Sequence, residues 1–204
     1  MPQELPAGSA ALNVRNPRFY YLQRKWAQSF WVSFIVLQGV LSCFPGLAFA
    51  QRGPVRSLQE IRQEGVVLQK WDTSCGAAAL ATVLTYSLND PVSEREVARG
   101  MLKMTEPLKV KYRGGFSLLD MKHFAELRGY KGVGYWRLNL DGLLQLKNPI
   151  VPIVQYGYPH FVVVRGLDHR GRLNIADPGF GNRTITVSEF RTAWKDGIAF
   201  VVIP

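Results

Sequence analysis

Between residues 57 and 130 the apolar positions recur at helical spacing behind serine caps, and after Gly129 they crowd into short runs separated by Gly, Pro and Asn. SLQEIRQEG (57–65) predicts a short helix with Ser57 as N-cap, Glu60 closing a capping box and Gly65 ending it. SEREVARGML (93–102) repeats the pattern with Ser93 and Glu96, and SLLDMKHFAELRGY (117–130) repeats it with Ser117, Asp120 and a terminal Gly129. CGAAALATVLTYSL (75–88) is apolar nearly all round and rich in small residues, as suits a central helix packed on several sides. The later runs VGYWRL, IVPIVQY, HFVVVRGLD, RLNIAD, RTITV and IAFVVIP read as strands, interrupted by one more short helix, SEFRTAW (188–194). Helices first and strands later, joined by short turns, predict an α+β domain with its N-terminal helices packed on a C-terminal antiparallel sheet.

The segment before this domain has the order of an export signal. Arg15, Arg18, Arg24 and Lys25 precede FWVSFIVLQGVLSCFPG, and Ala48-Phe49-Ala50 forms a small-x-small site that a signal peptidase could cut before Gln51. Residues 1–50 are therefore expected to be an N-terminal export signal, and residues 51–204 a single domain in the periplasm. The alternative is an uncleaved inner-membrane anchor that touches the membrane through residues 30–50 and leaves the domain facing the periplasm. Val40-Leu41-Ser42-Cys43 faintly resembles a lipobox, a third and lesser option.

Composition adds exclusions. With 47% hydrophobic and 20% charged residues, the 204-residue chain is built for a globular core. Its net charge of +10 comes from scattered Lys and Arg, with no run of five, so no nucleic-acid partner is expected; attraction to anionic surfaces or acidic substrates is. Of two cysteines, Cys43 lies in the apolar segment, so removal of that segment leaves Cys75 as the domain's lone thiol. The three histidines lack ligand spacing, and neither a metal nor an organic cofactor is expected.

QKWDTSCGAAAL (69–80) places Cys75 among small and polar residues at a helix start, where free N–H groups and the helix dipole favour a thiolate. His160 opens the strand HFVVVRG beside a turn, partly exposed and rigidly held, as a general base must be. Asp177 ends RLNIAD; if the two strands pair around HRGR (169–172), it lies against His160 and can orient the imidazole. His169 and Asp168 then fall at the far turn, and His123 is mid-helix. Gln69, on the loop entering the helix, can donate to an oxyanion together with the Cys75 N–H. A lone cysteine packs more often than it reacts, and a lone histidine is more often structural. Their joint order favours catalysis without separating a peptidase from an amidase or acyltransferase.

QKWDTSCGAAAL, GGFSLLDMKHFAELRGY, NPIVPIVQYGYPHFVVVRGLD and IADPGFGNRTITVSEFRTAW, in this order over roughly residues 60–203, resemble the bacteriocin-processing, double-glycine-leader cysteine peptidases. The resemblance implies a papain-like fold, with Cys75 as nucleophile, His160 as general base and then acid, Asp177 as orienting member and Gln69 as oxyanion donor. It also implies a peptide or protein substrate cut after Gly-Gly. The chain lacks the ATP-binding motif and six-helix membrane domain of the transporter-fused members. It is similar to the stand-alone exported branch, some of which accompany secretion of surface fibres or functional amyloid, so a secretion-system or fibre-export component is an expected partner. A groove too narrow for a Cβ would select Gly-Gly, with Trp71 and Tyr158 as wall residues, and Tyr156, Phe180 and Trp136 as weaker candidates. The competing expectation is a non-catalytic accessory that binds and guides a secretion substrate.

Overall fold

The structure, a computed structural model, describes residues 55–204. The expected export signal or anchor, Cys43 and the proposed cleavage before Gln51 lie outside the described residues. Among the described residues no helix is long and apolar enough to cross a membrane.

Five helices come first: α1 (Leu58–Gln63), α2 (Cys75–Ser87), α3 (Glu94–Leu102), α4 (Pro107–Arg113) and α5 (Leu118–Leu127). The serine caps form as the spacing predicts. Ser57, Ser93 and Ser117 each accept from the backbone N–H three residues on, while Glu60, Glu96 and Asp120 reach back to the cap N–H. Then follow β1 (Lys131–Tyr135), α6 (Leu140–Leu144), β2 (Ile150–Gln155), β3 (Tyr158–Leu167), β4 (Leu173–Asp177), β5 (Gly181–Ile185), α7 (Val187–Ala193) and β6 (Ala199–Ile203). The six strands form one antiparallel sheet in the order β1-β6-β2-β3-β4-β5.

The sheet is covered on both faces, which explains why β3 reads as an unbroken apolar run rather than an alternating one. Val163, Ala176, Ile150 and Phe200 pack on one side against α2, α3 and α5. Val162, Val164, Ile175 and Leu173 point the other way, into a second core closed by Phe190 of α7 and Leu140 and Leu143 of α6. In α2 every residue from Cys75 to Leu84 is buried. Gly76 sits against Met121 of α5, Phe161 of β3 and Phe116, leaving no room for a Cβ, so the N-terminus of α2 lies tight on the strand that bears His160.

Several boundaries differ from the sequence expectation; β3 begins at Tyr158, so His160 is its third residue, opposite Ile153, rather than its first. β1 begins at Lys131 and stops at Tyr135, because Trp136 is 64% exposed and Arg137 turns the chain with a positive φ of 56°. β5 is Gly181–Ile185 rather than 183–187, since Val187 already belongs to α7, whose cap is Thr186 bonded reciprocally with Glu189. Helices α4 and α6 were not expected: each spans fewer than two turns and buries only one or two side chains, too little for a periodic signal.

Candidate active site

The loop ahead of α2 is fastened at both ends. Ser74 occupies the N-cap position of α2, yet its hydroxyl does not cap the helix. Its single proton lies between two acceptors instead, the Trp71 carbonyl at 2.7 Å and the buried carboxylate of Glu94, whose Oε1 also accepts from the Lys70 N–H at 2.8 Å. Because the cap hydroxyl is turned away, no side chain competes for the first-turn N–H groups of α2, at whose head Cys75 stands, 7% exposed. Upstream, the Gln69 N–H donates to the Pro178 carbonyl at 2.8 Å, tying this loop to the turn that follows Asp177.

β3 and β4 form the expected hairpin, with Val163 opposite Ala176 and Leu167 opposite Leu173. Asp168 closes its far turn through Arg170 and Arg172, away from the site. At the other end His160 Nε2 and Asp177 Oδ1 are 2.7 Å apart. With Nε2 engaged there, Nδ1 is the ring nitrogen left free for the thiol of Cys75, which is near enough to raise the pKa of the imidazole. Burial disfavours the imidazolium, but the hydrogen bonds to Asp177 and Cys75 and their charges outweigh it, pushing the His160 pKa from 6.5 up to about 9.

Asp177 is wholly buried, which by itself would raise its pKa. The bond from His160 and its charge, the Gly179 N–H on Oδ1 at 2.8 Å and the Arg183 guanidinium on Oδ2 at 2.8 Å reverse this and hold it below 3.8. The two shifts have opposite consequences for folding. His160 binds its proton more tightly folded than unfolded, so its contribution is whole below about pH 6.5 and is lost as pH rises through about 9. That of Asp177 is present above 3.8 and lost as pH falls through its lowered value. The melting temperature is therefore expected to fall between pH 6.5 and about 9, and His160→Gln to flatten that fall. Thermal scans across this window check it; an equally steep fall in His160→Gln contradicts it.

Gln69 lies beside the same group. A Cβ added at Gly179 would stand 3.4 Å from Asp177 Oδ1, 3.7 Å from His160 Cε1 and 3.9 Å from Gln69 Oε1, so these three side chains surround Gly179. Gln69 Nε2 donates to the Trp71 carbonyl at 3.1 Å, while its Oε1 is buried without a partner. Trp71 is 43% exposed and lies under Arg95, 5.8 Å from the ring centre. Tyr158 is exposed at the start of β3, opposite Gln155. Tyr156 and Phe180 pack edge to face at 6.3 Å on the adjoining turns. Trp136 is not brought here: it follows β1, which β6 and β2 separate from β3, and it stacks on its own neighbour Arg137.

A cavity of about 570 Å³ opens beside the Cys75 loop, lined by Trp71, Thr73, Ser74, Leu102 and Phe116 among others, with Arg95, Arg99 and Lys111 at its walls. Two contributors to the site carried no distinct sequence signal. Glu94 looks like any first-turn acid after a serine cap, and its burial follows only from where the Cys75 loop packs. Arg183 looked like one polar residue of a strand. The hairpin register that sets Asp177 opposite Gly181 also pairs Ile175 with Arg183 two positions on, on the same face as Asp177, and that offset was the available clue.

Residues 63–204 match the Peptidase C39 family. The chain is 40% identical over 159 residues, 78% of its own length and 67% of the other's, to the probable functional amyloid protease FapD of Pseudomonas aeruginosa. To the Pseudomonas fluorescens protein of the same name it is 39% identical over 167 residues, 81% and 72% of the two lengths. In fold it is similar to the peptidase domain of Streptococcus ComA, a bi-functional ABC transporter involved in quorum sensing, with a TM-score of 0.56 at 22% identity over 68% of this chain and 97% of that one. It is also similar to a double glycine motif protease from an AMS/PCAT transporter solved in complex with a leader peptide, with a TM-score of 0.55 at 26% identity over 68% and 90%.

Proposed function

The chain belongs to the peptidase C39 family, and from that premise we propose that its cysteine peptidase activity runs through Cys75, His160 and Asp177, on a peptide exported with a surface fibre. The observation that carries this is the 2.7 Å contact of His160 Nε2 with buried Asp177, which leaves Nδ1 of the same imidazole for the thiol at the head of α2.

The chemistry follows from those positions. The Cys75 thiol gives its proton to His160 Nδ1, and the thiolate attacks the scissile carbonyl carbon. Charge moving onto the carbonyl oxygen is met by the Cys75 backbone N–H and by the Gln69 amide, whose Nε2 has one hydrogen on the Trp71 carbonyl and a second to offer. When the tetrahedral intermediate collapses, the C–N bond breaks and His160 returns the proton to the leaving amine, leaving a thioester on Cys75. Water then gives a proton to His160, attacks the thioester carbon and releases the acid product with the thiol restored. Asp177 stays ionised throughout, holding the ring in register and favouring its charged form.

The basic and apolar cavity beside Trp71 suits the segment ahead of the scissile bond if that segment is amphipathic and acidic. Trp71 and Tyr158 are the walls that would exclude a Cβ from the residues next to the cut, giving a Gly-Gly preference. The names of the Pseudomonas relatives support a substrate associated with functional amyloid. The order of charges and apolar residues in 1–50 supports action in the periplasm.

The test uses the full chain on two fluorogenic peptides that share an acidic amphipathic leader and differ only in Gly-Gly or Ala-Ala before the cut. Cleavage of the Gly-Gly peptide at least about 100-fold faster is expected, a difference of about 3 kcal/mol in transition-state binding. Equal cleavage of both rejects the specificity. Binding without any product by mass spectrometry, unchanged in Cys75→Ala, rejects the catalytic assignment in favour of the accessory that guides its substrate.

A further inference from the structure

The Asp177 carboxylate has more partners than a third triad member needs for orienting a histidine. Its Oδ1 takes the His160 ring and the Gly179 N–H, and its Oδ2 accepts from Arg183 Nε at 2.8 Å, with Nη2 also 2.8 Å away as an ion-pair contact. The same Nη2 donates to Gln155 Oε1 at the end of β2, and the guanidinium carbon lies 5.8 Å from the Phe180 ring centre. Arg183 thus joins three strands, β2, β4 and β5, at the point where the carboxylate is buried. The charged and titratable groups that face Asp177 are His160 from β3 and Arg183 from β5, with Cys75 of α2 acting through His160; α1 approaches Gly181 next to them with only the Arg62 backbone carbonyl and Cβ.

We propose that Arg183 is a positioning residue of this centre: its Nε–H on Oδ2, braced by the Nη2 bond to Gln155, fixes the rotation of the Asp177 carboxylate, so that Oδ1 faces His160 Nε2 and the imidazole is held in place for Cys75. The proposal rests on the peptidase assignment above. The same bond keeps Asp177 ionised, since a fully buried carboxylate with Oδ2 left bare would take up a proton rather than remain charged. A protonated Asp177 gives His160 no anion to face. The imidazolium then loses its partner, the proton returns to sulfur, and the nucleophile is lost over the pH range where the neutral acid persists. An arginine suits the task better than a lysine because two N–H groups in one plane set an orientation, whereas an ammonium supplies charge alone.

The experiment measures, on the full chain, the rate of Cys75 alkylation by iodoacetamide from pH 4 to 9 alongside kcat and KM for peptide cleavage. In Arg183→Met the acid limb of alkylation is expected to move up by about one to three pH units, the range an arginine beside a carboxylate accounts for. Its kcat should fall by about 100-fold with KM within about twofold, as for a displaced catalytic group. Arg183→Lys should keep the wild-type acid limb while still losing kcat. If Arg183→Met does not fold, Arg183→Gln, which keeps a donor and loses the charge, reads the same limb. A folded Arg183→Met or Arg183→Gln whose acid limb matches the wild type overturns the proposal. A wild-type thiol that alkylates along an ordinary titration near about 8.5 overturns the catalytic assignment itself, a result distinct from an unmoved low limb.

Discussion

Cys75→Ala is expected to reduce peptide cleavage by about 10⁴-fold or more, to the level left by binding and oxyanion donors alone, while leaving the melting temperature within a few degrees of the wild type. The two halves of this result come from different features. Activity goes because no other side chain at the site supplies a nucleophile: His160 has its Nε2 committed to Asp177, and Ser74, one residue upstream, has its hydroxyl held by Glu94 and the Trp71 carbonyl. Stability stays because alanine keeps the Cβ, and the helix head is anchored by its neighbours Gly76, Ala77 and Ala78 against α5 and β3 rather than by sulfur. Removing the thiol also removes one of the groups that raise the His160 pKa, so the alkaline loss of stability should still begin near pH 6.5 but be smaller and end at lower pH in this variant. A kinetic assay with a calorimetric scan of the same preparation measures both. An unfolded Cys75→Ala protein would mean the thiol is structural.

Asp177→Ala is expected to differ from it in both respects. Loss of cleavage should reach about 10²- to 10⁴-fold, since the imidazole keeps its place on β3 but loses the anion that stabilises its charged form. Stability should also drop, by about 3 kcal/mol, the low end of the cost of breaking a buried ion pair, because Arg183 keeps a third of its side chain in solvent. Arg183 nonetheless loses its Nε bond and its ion-pair partner, and the Gly179 N–H loses its acceptor. A double-mutant cycle separates the causes. Asp177→Ala with Arg183→Met should recover much of the stability, since no unpaired charge remains, but none of the activity. Denaturant titrations and kcat on the four proteins give the coupling. Additive stability losses would show that the pair is not the source of the cost.

The capped helices and the central hairpin were legible in the sequence because each rests on contacts within a few residues. Ser93 and Glu96 are three apart and bond to each other's backbone whatever surrounds them. The β3–β4 hairpin likewise depends on a turn of local polar residues, and so the approach of His160 and Asp177 was foreseeable from strand ends alone. What escaped needed the tertiary arrangement. Helix α4 exposes most of PLKVKYR and buries only Val110, so its apolar positions carry no period. Glu94 takes its meaning from a loop 24 residues back, and Arg183 from the pairing of β4 with β5 and from Gln155 on β2; an isolated Arg in a strand or Glu after a cap looks like a solvated surface residue. The aromatic candidates divided by topology: Trp71 and Tyr158 flank the site, whereas the sheet order puts Trp136 two strands from β2.

The backbone bond from Gln69 to Pro178 joins the loop that carries the nucleophile to the turn that carries the acid. Opening the cleft like a jaw would break that bond. Substrate therefore enters a slot whose width is set before it arrives, and nearly all the loss of freedom on binding falls on the incoming peptide. Affinity should then track how ordered that peptide already is: a leader with a preformed helix ahead of its cleavage site has the advantage, and a flexible one of the same composition is held back by entropy alone.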